Sequence, residues 1–205
     1  MKRGSAGEMG GPGVLSVSPR VESRWRKLLD AFQAESFRNE SLPISRADRS
    51  VRVRGRRVGM DITWVTDRIA VGGGIWNAEN MAAVSRAGIT HIIDMQIEFD
   101  DTPLAKPHGI AVCWNPVDDD FAPKGGDVFR RGVDFALAAL EDNGTKLFIH
   151  CAAGVHRAPM MTLALLGVMG WTIQDAMQLI EGRRPAADFA EVYVRSVERF
   201  LEGRS

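Results

Sequence analysis

The sequence predicts an α/β fold, a central mostly parallel sheet flanked by helices, behind an N-terminal extension that is part disordered and part helical. Three observations carry this reading. From Asp61 onward, short apolar or β-branched runs alternate with longer stretches of helical periodicity, the pattern of strand–helix–strand units. One of those runs, KLFIH (Lys146–His150), leads straight into a glycine-containing loop and then into another helical segment. Upstream of about residue 58 the alternation is missing and the composition turns basic.

That division gives an extension over residues 1–58 and a domain over 59–205. Residues 1–20 are rich in Gly, Pro and Ser and have few large apolar side chains, too few to offset the cost of ordering. Val21, Trp25, Leu28, Leu29 and Phe32 then recur at helical spacing, so residues 21–38 read as an amphipathic helix. Arginines at 46, 49, 52, 54, 56 and 57 make the following stretch a basic linker. The 205-residue chain has zero net charge, yet residues 1–60 hold 13 Lys+Arg against 6 Asp+Glu and residues 61–205 hold 13 against 20. A solvated linker, or a basic segment folding onto the acidic body, is preferred. Contact of residues 46–57 with nucleic acid or an anionic surface would call for interleaved aromatic or membrane-seeking side chains, which are absent there.

Within the domain, DITWVT and RIAVGG read as two short strands joined at Thr66 and Asp67. NAENMAAVSRAG reads as a helix with Asn77 at its N-cap and Gly88 at its C-cap. THIIDMQ and GIAVCWNPV both read as buried strands from their continuous apolar runs. GDVFRRGVDFALAALEDNG is helical until Gly144, KLFIH is a central strand, and helices are expected over Pro159–Met169, Ile173–Glu181 and Phe189–Leu201. The glycines 72–74 read as a turn. A domain of this size buries about 70% of its unfolded surface and needs no disulfide scaffold. Two cysteines, no secretory h-region behind the polar start and no apolar run of membrane-spanning length point to a cytoplasmic protein.

The chemistry concentrates in HCAAGVHRAP, residues 150–159. Five residues separate Cys151 from Arg157, with a strand before and a helix after. Such a loop can curl round a tetrahedral anion, turning the backbone N–H groups of Ala152, Ala153, Gly154, Val155, His156 and Arg157 inward while the helix adds its positive end. Arg157 closes the loop with a guanidinium fork for two phosphate oxygens. Positive surroundings that hold a dianion also favour thiolate at Cys151. His150 is expected to fix the loop and tune the sulfur, and Gly154 to permit its tight turn.

HCAAGVHR resembles the H-C-x-x-G-x-x-R signature of the cysteine-dependent protein phosphatases, specifically of their compact dual-specificity branch. The resemblance runs from about Asp61 to Leu201: RIAVGGG is similar to the family's opening strand and turn, HIIDM to its next core strand, and NPVDDD to the segment carrying its general acid. It implies a dual-specificity phosphatase-like fold and a two-step phosphomonoester hydrolysis through a phosphocysteine. Cys151 would be the nucleophile, and the loop amides and Arg157 would carry the charge, so that neither metal nor other cofactor is required. The acid is expected some 30 residues before the cysteine. Asp118, Asp119 and Asp120 precede it by 33, 32 and 31 positions, and matching PVDD to the family's usual pattern prefers Asp119, then Asp120, then Asp118. A phosphorylated protein is the implied substrate, phosphoinositide or an RNA 5′-phosphate less so, and a catalytically weak phospho-binding protein is the alternative.

Ala158 departs from the family, which places Ser or Thr there to donate a hydrogen bond to the departing sulfur. Its loss predicts a slow second step. Thr162, a helical turn further on, is not expected to substitute. A zinc site from His150, Cys151 and His156 would need a fourth ligand and a different loop. Cys113 reads as a small buried apolar residue, with a disulfide to Cys151 as the less favoured reading. Arg183 and Arg184 read as caps of a helix C-terminus before binders of a second phosphate. Asp100, Asp101 and Asp118–Asp120 are expected to surround the site with negative charge.

Overall fold

The computed structural model describes residues 59–204. The disordered stretch, amphipathic helix and basic linker expected over residues 1–58 lie outside the described residues. Five strands, β1 (Ile62–Trp64), β2 (Ile69–Gly72), β3 (His91–Asp94), β4 (Ala111–Trp114) and β5 (Leu147–His150), form one sheet in the order β1-β2-β5-β3-β4. Only β1 pairs antiparallel; β2, β5, β3 and β4 run parallel. The helices are α1 (Ala78–Arg86), α2 (Thr102–Ala105) with a 3₁₀ turn at Lys106–His108, α3 (Gly126–Leu140), α4 (Arg157–Val168), α5 (Ile173–Arg183) and α6 (Glu191–Glu202). Among the described residues no helix is long and apolar enough to cross a membrane.

Side chains alternate across the sheet. Ala70, Phe148, Ile92 and Val112 stand in one register row and pack with Met81, Val84 and Ala105 of α1 and α2. In the neighbouring row Val71, Ile149 and Ile93 are fully buried, on the face where α3 and α4 meet the strands. Cutting Ile149 or Ile93 to alanine there would cost about 2–5 kcal/mol. Asn77 caps α1 as expected, accepting from the Asn80 N–H at 2.8 Å. Gly88, with φ +80°, follows one residue beyond the cap at Ala87.

One strand differs from expectation. β4 is a sheet edge, with Ala111 and Trp114 exposed and Val112 and Cys113 half-buried. An apolar run says that a segment packs, not how many strands flank it, and β3 occupies the interior position instead. α4 begins at Arg157, two residues before the expected start, and Arg157–Leu166 are all buried. A helix apolar on all sides belongs at the centre, and α4 packs against α3, α5 and α6 as well as β2 and β5. Because four strands are parallel, their following loops (residues 73–77, 95–101, 115–125 and 151–156) meet at one end of the sheet, where α/β folds gather ligands.

Candidate active site

The loop from Cys151 to Arg157 is shaped by what pulls on its carbonyls. Ala152 O accepts from the Gly74 N–H at 3.0 Å, and Val155 O from the Asp188 N–H at 2.9 Å. Between them, Ala153 O and Gly154 O accept from the Arg184 guanidinium at 3.3 and 2.7 Å. Four consecutive carbonyls are thus drawn outward. In a trans peptide the next N–H points the opposite way, and there is no cis bond among the described residues. The N–H groups of Ala153, Gly154, Val155 and His156 therefore face the loop's interior, and that of Gly154 donates to Cys151 Sγ at 3.3 Å. Gly154 has φ +66°, and a Cβ there would lie 2.3 Å from Arg184 Nη2 and 2.5 Å from Gly72 O. The position admits glycine on both counts.

Arg184 stands at the C-cap of α5, as expected, its backbone N–H donating to Ile180 O at 2.7 Å, and its side chain is in addition the loop's clamp. It is 5% exposed and uses every N–H it has. Besides the two loop carbonyls, it donates to Asp61 Oδ1 at 2.9 Å and Oδ2 at 2.6 Å, and to Thr63 Oγ1 at 3.1 Å.

Arg157, 3% exposed at the first position of α4, is held on one edge. Its Nη1 and Nη2 donate to the two carboxylate oxygens of Glu98 at 2.9 and 2.8 Å, and Nη1 also donates to Val117 O at 3.1 Å. The pair keeps the Glu98 carboxyl below its ordinary range, chiefly through the Arg157 hydrogen bonds. Nε has no hydrogen-bond partner among the described residues, and Nη2 has a second hydrogen to spare. Those two N–H groups share the other edge of the fork, the arrangement that receives two oxygens of one phosphate.

Of the three aspartates only Asp119 turns to this loop. Its Oδ2 lies 3.1 Å from His156 Nδ1 and 3.9 Å from Arg157 Nε, while its Oδ1 accepts from the Tyr193 hydroxyl at 3.0 Å. Burial, with Asp119 beside it, pushes Tyr193 up to about 12, so its hydroxyl keeps the proton it donates. Asp120 faces away, accepting from the Ala122 N–H at 2.9 Å and pairing with Lys124, and Asp118 is exposed. The Lys124 hydrogen bond holds the Asp120 carboxyl low.

The His150 imidazole is directed away from the loop. It is fully buried, with Nε2 2.8 Å from Asp101 Oδ2 and 3.8 Å from Asp94 Oδ1, the nearer contact lacking the angles of a directed hydrogen bond. Period-two alternation puts His150 on the face of Phe148, whose ring it stacks on at 5.1 Å. Its support for the loop runs through the backbone, where its carbonyl accepts from the Met95 N–H. Asp101, expected at the rim, is buried beside it. Asp94, Asp101 and His150 form a cluster of metal-ligand types among the described residues. Their 2.8 Å contact is shorter than the ~3.3 Å that separates two ligands on one tetrahedral zinc, so the set does not fit that ion.

Ala158 is buried, and the Thr162 hydroxyl is committed to its carbonyl at 2.9 Å, so no hydroxyl from α4 is offered in its place. Cys113 and Cys151 are both free. Cys113 aligns with Ile93, which in turn aligns with Ile149, so two strand spacings, about 10 Å, separate it from β5. That exceeds disulfide reach. Burial raises the Cys113 thiol as well.

The sequence model described as "Dual specificity phosphatase, catalytic domain" matches residues 74–200. The chain belongs to this family. A family relative, protein tyrosine phosphatase type IVA 3 of Mus musculus, is 32% identical over 106 residues, covering 51% of this chain and 60% of the relative. The chain thus spans about 60% of the length of that curated relative. The protein phosphatase Slingshot homolog 3 of Rattus norvegicus is 25% identical over 131 residues, 62% of this chain and 19% of its own. Among solved structures, DUSP15 superimposes with a TM-score of 0.60 at 25% identity, covering 70% of this chain and 88% of its own. PTPMT1, solved in complex with PI(5)P, gives 0.62 at 18% identity, covering 69% and 95%, a likeness of fold.

Glu98, Tyr193 and the clamping role of Arg184 escape the sequence reading. The one usable signal is that Tyr193 is the single tyrosine of the chain, set on the buried face of a helix with Ser196, Val197 and Phe200.

Proposed function

We propose that this protein hydrolyses phosphomonoesters, with phosphotyrosine, phosphoserine or phosphothreonine of proteins as the substrate class. What supports the reading is the Gly154 N–H donated to Cys151 Sγ, together with four loop carbonyls drawn outward and an Arg157 Nε left without a hydrogen-bond partner among the described residues. A phosphoryl group seated there accepts from the N–H groups of residues 153–156 and from Arg157 Nε and Nη2. Cys151 thiolate attacks phosphorus in line, the P–O bond to the leaving group breaks, and Asp119 gives that oxygen its proton. Asp119 then takes a proton from water, whose oxygen attacks phosphorus, and the S–P bond breaks to return thiolate and release phosphate. Charge is met by amides and guanidinium, so the scheme needs no metal. On this reading residues 59–205 are the catalytic domain and residues 1–58 an appended extension.

The test is hydrolysis of p-nitrophenyl phosphate in the presence of a chelator, inhibited by vanadate and abolished by Cys151→Ser. Ala158 favours one second reading, a phospho-binding protein with vestigial turnover. Phosphopeptide binding without measurable hydrolysis by the unaltered chain would favour that reading over ours.

A further inference from the structure

Five large apolar side chains reach solvent among the described residues: Trp76, Ile97, Phe99, Trp114 and Phe121, between 38% and 55% exposed. All five stand at the carboxyl end of the parallel strands, in three segments far apart in sequence. Scattered exposed apolar residues need no explanation; a set confined to one end does. Their attachments lead to the loop that carries Cys151. The Trp76 indole lies against Gly74, where a Cβ would be 2.7 Å from the ring, and the Gly74 N–H is bound to Ala152 O. Ile97 and Phe99 flank Glu98, the carboxylate that grips Arg157. The Trp114 indole N–H donates to Gln96 O at 2.8 Å, joining it to the same segment. The Phe121 ring meets His156 edge-on at 5.0 Å.

Phe121 carries a second sign. It is the one non-glycine residue with positive φ among those described, at +55°, a conformation that costs about 1–2 kcal/mol. The Tyr193 hydroxyl accepts its N–H at 3.0 Å, and the two rings stack at 5.8 Å, so the neighbourhood holds the strain in place. A strained backbone that presents an aromatic ring to solvent beside a phosphate loop points to a contact made there.

The charge around these side chains selects among occupants. Asp118, Asp120 and Asp188 are exposed between and beside them. Two of the nearby cations are engaged, Arg184 by Asp61 and the loop carbonyls and Lys124 by Asp120, which leaves the exposed Arg183 against three exposed aspartates. A polyanion would meet repulsion beyond its first phosphate. We infer that Trp76, Ile97, Phe99, Trp114 and Phe121 form the docking rim for a phosphorylated protein segment with apolar side chains beside the phosphoresidue and basic ones further out. The inference rests on the phosphatase reading and narrows its substrate.

The experiment uses the full chain with p-nitrophenyl phosphate, two phosphopeptides of equal length and charge, and vesicles containing a phosphoinositide. One peptide carries Leu and Phe beside the phosphoresidue, the other Ser and Gly. kcat/KM should favour the apolar peptide by about tenfold, and the ratio should fall toward one in Trp76→Ser/Ile97→Ser. Being a ratio, it is insensitive to loss of folded enzyme. Equal rates for the two peptides, a ratio unchanged in the variant, or preference for the vesicles would overturn the inference. So would a dimer that dissociates on the same substitutions, which would assign the rim to a second copy. If no substrate, p-nitrophenyl phosphate included, is hydrolysed, the phosphatase reading fails by itself. Peptide affinities of Cys151→Ser then decide the rim, equal affinities overturning it.

Discussion

Arg157 commits one edge of its guanidinium to Glu98 and leaves Nε, on the other edge, buried without a hydrogen-bond partner among the described residues. Glu98→Gln is therefore expected to leave the loop folded but let the fork turn, raising KM for p-nitrophenyl phosphate by about tenfold with a smaller change in kcat. On the proposed two-step scheme, Ala158 bears on the other half of the reaction. A hydroxyl donated to a departing sulfur contributes roughly 1–4 kcal/mol, so Ala158→Ser should raise steady-state turnover at least several-fold and diminish any burst in rapid-quench kinetics. No burst in the unaltered protein and no gain on substitution would remove the slow-step account. Cys151 and Arg157 stood out in the sequence because they lie only six positions apart, within one strand–loop–helix unit. Glu98 stands 59 positions from the arginine it holds, and no local pattern joins them.

At the scale of elements, the Asp119 loop is held by α6. Tyr193 Oη donates to Asp119 Oδ1 and accepts from the Phe121 N–H, and Ser196 Oγ accepts from the Lys124 N–H at 3.1 Å. Tyr193→Phe should lower kcat about tenfold for alkyl phosphates, which need a proton on leaving, and less for p-nitrophenyl phosphate, which does not. Equal losses on both would assign Tyr193 a purely structural role. Arg184→Met should cost about 2–3 kcal/mol in urea denaturation, since it leaves buried loop carbonyls without donors, and should abolish vanadate binding. Element order was largely readable because capping and alternation are local, as Asn77 and KLFIH illustrate. The edge position of β4 was not, because neighbours in a sheet are chosen by tertiary contact. The clamping role of Arg184 was hidden for the same reason: two arginines at a helix end look alike until one meets Asp61.

Across the whole molecule the buried cluster behind the loop sets a pH response. Burial pushes Asp94 up to about 6, with the nearby His150 opposing the shift. Unfolded, its carboxyl ionises near its usual value of 3.8. Between those values the folded state binds the extra proton, so this group's contribution to stability falls as pH rises through that window, by ~3 kcal/mol. Urea titrations of the unaltered protein and Asp94→Asn from pH 4 to 7 should converge or cross in the variant's favour as pH rises. Parallel curves would remove Asp94 as the origin. The acidic balance of residues 61–205 was legible from composition, but where the acids stand was not: Asp101 is wholly buried, while Asp118 and Asp120 meet solvent.

The clamp at Arg184 also bears on the order of assembly. Its bond to Asp61 spans 123 positions and its bond to Gly154 spans 30, with Gly74 closing the loop from a third place in the chain. Contacts of such separation close late, because chain closure must be met before they stabilise anything. On the proposed reading the loop becomes an anion cradle only on completed folding, and vanadate capture is then a clock for the final step of refolding rather than for the earlier collapse of the sheet.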